Sequence, residues 1–81
     1  MYNVYELFPN DSHKSFYGKA KVIVTDEGEY LRSYNTIVMY RDNDGEYYST
    51  WNGWSATTGR HIKAFSGLNK AGYFNLPFKR L

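Results

Sequence analysis

Two segments in which apolar and polar side chains alternate, each followed by a turn signal, constrain the fold of this chain most. The first covers residues 17–25, and its period of two is typical of a half-buried strand. The acidic turn at residues 26–29 then returns the chain along residues 30–33, which predicts a β-hairpin. The side chains expected on its outward face are Lys19, Lys21, Tyr30, Arg32 and Tyr34.

The length of each hairpin loop decides which side chains face one another. In the first hairpin, a two-residue loop at residues 27–28 pairs Val24 with Leu31. A second hairpin is predicted over residues 36–51, because Asp44-Gly45 suits a type I′ turn. There, a loop of two or four residues puts Tyr40 on the face of Tyr47, and a loop of three residues separates them, so both arrangements remain open.

One helix is predicted, over about residues 55–68. Ser55 or Thr57 can cap its start, and Gly67 can end it. Its apolar stripe consists of Thr58, Ile62, Phe65 and Leu68. The apolar tail at residues 73–78 is expected to pack as a short edge strand.

These elements predict one α+β domain over residues 1–81, a small antiparallel sheet with one helix packed on it. Residues 8–14 are expected to form a loop, and the conformation of residues 1–13 is left open. The 81 residues allow one modest core. There is no leader signal, no run long enough to cross a membrane and no cysteine, so we expect a cytoplasmic protein.

The sequence gives no support for catalysis or for a cofactor. Asp11-Ser12-His13 contains the residue types of a triad, but triads are assembled from distant segments, so we interpret it as a turn. The two histidines, His13 and His61, lack metal-site spacing. Residues 42–45 resemble the start of a calcium loop, yet the required later carboxylates are missing. We therefore expect no enzyme and no metal.

Charge divides the chain into two unlike parts. All eight carboxylates lie in residues 1–46, whereas residues 47–81 contain Lys and Arg without any carboxylate. A basic segment rich in aromatic rings is typical of proteins with anionic partners. We expect one contiguous basic surface made by the start of the helix and by the chain's last cations.

The candidate binding residues belong to three groups, and each has a structural alternative. The outward hairpin face either stacks nucleobases or is an ordinary solvated face. The helix start either attracts an anion or is only capped, and Trp54 is either a contact or part of the core. Beyond the five hairpin residues, the candidates are Thr58, Arg60, His61, Lys63, Trp54, Lys79 and Arg80.

Residues 14–20, 31–36 and 51–65 together resemble a family of small uncharacterised proteins from phages and mobile elements of Gram-positive Firmicutes. The resemblance implies a phage accessory role and supplies no catalytic residues. We therefore expect an anti-CRISPR-like protein, monomeric or homodimeric, that binds a host protein of a nucleic-acid-processing or defence complex. The alternative is a module that binds DNA or RNA directly through its basic C-terminal half.

Overall fold

A five-stranded antiparallel sheet with two helices forms the fold, in a computed structural model that describes residues 3–9 and 15–81. The strands follow one another across the sheet in chain order. They are β1 (Asn3–Glu6), β2 (Ala20–Thr25), β3 (Gly28–Ser33), β4 (Thr36–Asp42) and β5 (Tyr47–Ser49). The helices are α1 (Ala56–Ser66) and α2 (Lys70–Phe74). The predicted α+β class is confirmed, with a second helix added. The turn predicted at Asp11-Ser12-His13 lies outside the described residues.

The β2–β3 hairpin has the predicted faces but a different register. Val22, rather than Val24, pairs with Leu31, so the predicted pairing is wrong by two residues. The reason is Gly28, which lies inside the ladder opposite Thr25 with φ 144° and leaves residues 26–27 as the loop. A slip of two residues keeps every side chain on its predicted face, because strand side chains alternate with a period of two.

The β4–β5 hairpin has the three-residue loop. The backbone N–H of Asp42 donates to the Glu46 carbonyl over 2.9 Å, and Gly45 takes the left-handed conformation with φ 87°. One left-handed residue after a turn gives this loop length, whereas the predicted type I′ turn needs two. Tyr40 therefore pairs with Tyr48 and lies on the opposite face from Tyr47.

The core forms between one face of the sheet and the two helices. Leu31 and Met39 from the sheet pack with Ile62 of α1 and Tyr73 of α2, and all four side chains are fully buried. We call the other side of the sheet the far face. Because side chains alternate, Tyr40 beside Met39 belongs to the far face.

The two ends of α1 confirm the sequence prediction. The Ser55 hydroxyl accepts a hydrogen bond from the backbone N–H of Thr58 over 3.1 Å and so caps the helix start. Gly67 ends the helix with φ 81°, and its N–H donates to the Lys63 carbonyl over 2.8 Å.

The chain after α1 differs from its predicted form. Tyr73 and Phe74 belong to α2, so the expected edge strand over residues 73–78 is wrong for its first part. The Tyr73 hydroxyl lies 2.6 Å from the Val38 carbonyl and 2.7 Å from the Trp51 carbonyl, which ties α2 to the sheet. Only Phe78 forms a bridge to β5, opposite Ser49.

Both tryptophans pack against the core, each over a glycine. The indole of Trp54 covers Gly59 in α1, where any Cβ would overlap its Cζ2 atom. The same indole contacts the rings of Tyr73 and Phe74, with centroids 5.6 and 6.1 Å away. These contacts favour Trp54 as part of the core over Trp54 as a residue that contacts a partner.

Candidate anion-binding site

The end of the sheet where β2 begins and β3 ends carries the candidate site, and we call it the pocket end. The first turns of α1 lie over this end, because the Ser33 hydroxyl is 2.9 Å from the Thr58 hydroxyl and 2.8 Å from Nδ1 of His61. All three of these side chains are buried. They fix the start of the helix against the last residue of β3.

A cavity of about 260 Å³ opens at the pocket end. Three segments that are distant in the sequence contribute to it: the residues before β2, the β3–β4 turn and the first turns of α1. The lining side chains are Ser15, Phe16, Tyr17, Lys19, Tyr34, Thr57, Arg60 and His61. The fold thus brings four predicted candidates into one site: Lys19, Tyr34, Arg60 and His61.

Aromatic rings hold the two cations of the cavity. The Lys19 ammonium lies 5.8 Å from the centroid of the Tyr34 ring, and the Arg60 guanidinium carbon lies 5.4 Å from the centroid of Phe16. A cation over a ring face is attracted by the ring quadrupole, which restrains these flexible side chains near the cavity. Tyr17 and Tyr34 remain exposed beside them, at 81% and 48%.

His61 forms part of the cavity wall and is fully buried. Phe16 packs edge-on against its ring with centroids 4.5 Å apart, and Nδ1 faces Ser33. The Nε2 atom has no hydrogen-bond partner among the described residues. Burial, and to a smaller extent the nearby Arg60 charge, lowers the pKa of His61, so the neutral imidazole is favoured.

The start of α1 adds backbone donors to the site. Ser55 accepts the N–H groups of Thr58 and Gly59, so the N–H groups of Ala56 and Thr57 are the ones without a partner inside the helix, at the positive end of its dipole. Thr57, in the first turn, contributes to the cavity lining. Cations, helix N–H groups and hydroxyls together make this cavity suited to an anion.

Most carboxylates lie far from the cavity, at the opposite end of the sheet, which we call the hairpin end. The β2–β3 and β4–β5 loops meet there, because the Asn43 amide donates to the Asp26 carbonyl over 2.8 Å. The exposed acidic side chains of these loops are Asp26, Glu27, Asp44 and Glu46. In the folded protein, the acidic loops therefore lie at one end of the strands and the cations of the cavity lie at the other end. At the pocket end, Glu6 accepts a 3.4 Å hydrogen bond from the Ser15 hydroxyl.

The predicted single basic surface is not formed. Lys79 lies over the Tyr40 ring on the far face, 5.2 Å from its centroid, whereas Arg60 lies at the cavity. The cause is the chain path, since residues 77–79 run beside Ser49 and are held there by two backbone hydrogen bonds of 3.0 and 2.8 Å. The expectation that the last cations join the helix start is therefore wrong for Lys79.

The remaining candidates are distributed over other surfaces. Lys21, Tyr30 and Arg32 lie on the far face, where Lys21 pairs with Arg32 across the strands. Lys63 is exposed in the last turn of α1, and Arg80 is exposed near the end of the chain. The predicted outward face of the first hairpin is thus divided, because Lys19 and Tyr34 lie beyond the strand ends and turn into the cavity.

Half of the cavity lining was not among the predicted binding residues: Ser15, Phe16, Tyr17 and Thr57, of which Thr57 was predicted only as part of the helix start. The first three precede β2: Ser15 and Phe16 lie outside the alternating segment, and Tyr17 was expected to begin the strand, which in fact begins at Ala20. Tyr17 has a positive φ of 54°, so the chain turns sharply before Gly18. A glycine near the start of the predicted strand, in the run Phe-Tyr-Gly-Lys at residues 16–19, is the sequence signal that was available for this turn.

Two further findings concern the whole described chain. In residues 3–9 and 15–81 no group of three His, Asp or Glu side chains is placed to hold a metal ion. Neither helix there has the length and apolar character needed to cross a membrane.

Comparison with known proteins gives a family but no described activity. No curated protein and no solved structure matches the chain significantly. A family model described as a family of unknown function, DUF8033, matches residues 5–73. Because this match covers most of the chain, the protein belongs to the family of unknown function DUF8033.

Proposed function

We propose that this protein is a non-catalytic module that binds single-stranded nucleic acid at the pocket end. The observation that carries the proposal is the grouping of Lys19 and Arg60 around one cavity beside two exposed tyrosines, Tyr17 and Tyr34. Cations next to exposed rings are the usual combination in such modules, because rings stack on bases while cations meet the phosphates.

The distribution of charge over the folded protein supports binding at the pocket end. The exposed carboxylates of both hairpin loops lie at the other end of the strands, so they do not cancel the cations of the cavity. A molecule with separated charges presents its basic end to an approaching polyanion. The proposed nucleic-acid-binding surface is therefore smaller than the basic C-terminal half of the sequence, and it includes Lys19 from the N-terminal half.

The one hydroxyl–imidazole pair at the site is better explained as structural than as catalytic. Ser33 and His61 are 2.8 Å apart, which resembles a nucleophile with its base. Ser33 is not among the residues that line the cavity, however, and its buried hydroxyl is already bonded to both Thr58 and His61, so a ligand in the cavity does not reach it. This supports binding without chemistry.

The test is the affinity of the protein for a fluorescent oligothymidylate, measured by anisotropy at several salt concentrations. Lys19→Glu and Arg60→Glu should each weaken binding at least about ten-fold and should flatten the salt dependence, because each removes a phosphate contact. Lys63→Glu is the matched control, since it makes the same charge change at an exposed position of α1 outside the cavity. Equal losses for all three variants, or no binding at about 50 mM salt, would refute the proposal.

A second candidate is an anti-CRISPR-like accessory protein, of phage type, that occupies a host nucleic-acid-processing or defence complex in the cytoplasm. The hairpin end favours it, because four exposed carboxylates on two joined loops resemble the charge that a basic nucleic-acid channel binds. In that case, changing Asp44 and Glu46 to Lys abolishes binding to the purified complex. Arg60→Glu should leave that binding unchanged, and the opposite pattern would exclude this candidate.

A further inference from the structure

The inner wall of the cavity differs from its rim. Tyr17, Tyr34 and Lys19 are exposed at the rim, whereas Phe16 and His61 are buried at the wall. An extended strand contacting only the rim would leave this wall unused. The wall includes a fully buried imidazole whose Nε2 atom has no partner among the described residues, which is an uncommon state for a buried polar atom.

The polar groups around the cavity are mainly hydrogen-bond donors. Lys19 and Arg60 carry only donors, and the first N–H groups of α1 are donors as well. Because Nδ1 is paired with Ser33, the buried Nε2 atom is the nitrogen of this cavity-lining ring that has no partner among the described residues. When the Ser33 hydroxyl donates to Nδ1, Nε2 carries the proton and becomes another donor.

Size and charge narrow the class of ligand. A cavity of about 260 Å³ is smaller than the pockets of about 300–1,000 Å³ that hold drug-sized ligands, so it accepts one small group and not several nucleotides. Two cationic side chains, Lys19 and Arg60, line this small volume, which favours a ligand group of high negative charge. A phosphate monoester carries nearly two charges at neutral pH, whereas each phosphodiester inside a strand carries one.

We propose that the cavity binds the phosphate monoester of one nucleotide, with Arg60 and Lys19 at its oxygens and Nε2 of His61 donating from the wall. The base stacks on the exposed tyrosines of the rim. The same chemistry has two sources, the phosphorylated end of a strand and a free mononucleotide. The assignment to a strand end rests on the proposed function, and the assignment to a free nucleotide does not.

Oligothymidylates of one length, ending in a 5′-phosphate, a 3′-phosphate or only hydroxyls, test this proposal, together with AMP and adenosine. A terminal phosphate should tighten binding at least about ten-fold, and AMP should compete where adenosine does not. Equal affinity for phosphorylated and hydroxyl ends would overturn this inference while leaving the proposed function in place. Binding of AMP without any oligonucleotide would support the inference with a free nucleotide and overturn the proposed function. Binding of none of these ligands would overturn both.

Nitrogen-15 NMR of the His61 ring tests the wall contact in the unmodified protein. The charged and titratable groups that line the cavity with His61 are Arg60, Lys19, Tyr34 and Tyr17, and Glu6 is bonded to Ser15 at the same end. AMP should shift the Nε2 resonance and raise the pKa of His61, because a bound dianion stabilises the imidazolium. An unchanged His61 spectrum in saturating AMP would overturn its assigned contact. The variant His61→Gln, which keeps a terminal amide donor, should bind AMP more tightly than His61→Leu.

Discussion

Replacing Gly59 with alanine should destabilise this protein, although the same change stabilises most helices. Gly59 lies in the first half of α1, where alanine is ordinarily better than glycine by about 1 kcal/mol. Here the new methyl group would overlap Cζ2 of Trp54 and would lie only 2.9 Å from its Cε2. The indole cannot move away freely, because Tyr73 and Phe74 pack against it.

The magnitude follows from two opposing terms. Overpacking of a filled site costs about 1–3 kcal/mol, and the gain in helix propensity offsets about 1 kcal/mol of it. The net effect of Gly59→Ala is a loss of up to about 2 kcal/mol in the free energy of unfolding. For a domain of this size, each kcal/mol lowers the melting temperature by about 4–8 °C.

Urea unfolding of five variants measures both terms: Gly59→Ala, Lys63→Gly, Lys63→Ala, Trp54→Leu and the double variant with Trp54→Leu and Gly59→Ala. Lys63→Gly and Lys63→Ala give the ordinary glycine-to-alanine difference at an exposed position of the same helix. In a Trp54→Leu background, Gly59→Ala should stabilise the protein, as the change from glycine to alanine does at position 63, because the overlapping ring is gone. The reasoning is refuted if Gly59→Ala stabilises the protein with Trp54 present.

Two further predictions concern buried polar groups. Tyr73→Phe should cost about 1–3 kcal/mol in urea unfolding, because the carbonyls of Val38 and Trp51 lose a buried donor; a change below about 0.3 kcal/mol would contradict this. Because the pKa of His61 is lowered in the folded state, the unfolded chain takes up that proton first. Its contribution to stability is therefore present above about pH 6.5 and is lost as pH falls through the folded pKa. The loss reaches at most about 1.4 kcal/mol per pH unit. Thermal melts between pH 7.5 and 4.5 should show this loss of stability in the unmodified protein and in His13→Gln. The loss should be absent in His61→Gln.

The sheet faces were predictable because alternation survives an error of register. The pairing of Val24 with Leu31 was wrong, yet Val22 and Leu31 both face the core as expected. The helix limits were predictable for a similar reason, since Ser55 and Gly67 act through local backbone geometry. Helix α2 was not predictable, because five residues that include Gly72 carry little helical signal of their own. It is stabilised by the burial of Tyr73.

The candidate site was predictable in part. Arg60 and His61 follow from the start of a helix with a basic face, which is a local property of the sequence. Their grouping with Lys19 and Tyr34 depends on how three distant segments meet in the fold, and no spacing in the sequence encodes it. The charge pattern shows the same limit: sequence order divides acids from bases by halves, but successive hairpins place the acidic loops together at one end of the strands.

Mapping the surface that contacts an oligothymidylate tests the central claim most directly. In a two-dimensional NMR titration, the account predicts that the largest shifts fall at the pocket end, in residues 15–19, at Tyr34 and in residues 57–61. Largest shifts at the acidic loops, in residues 26–27 and 43–46, or shifts spread evenly over the protein, would contradict it.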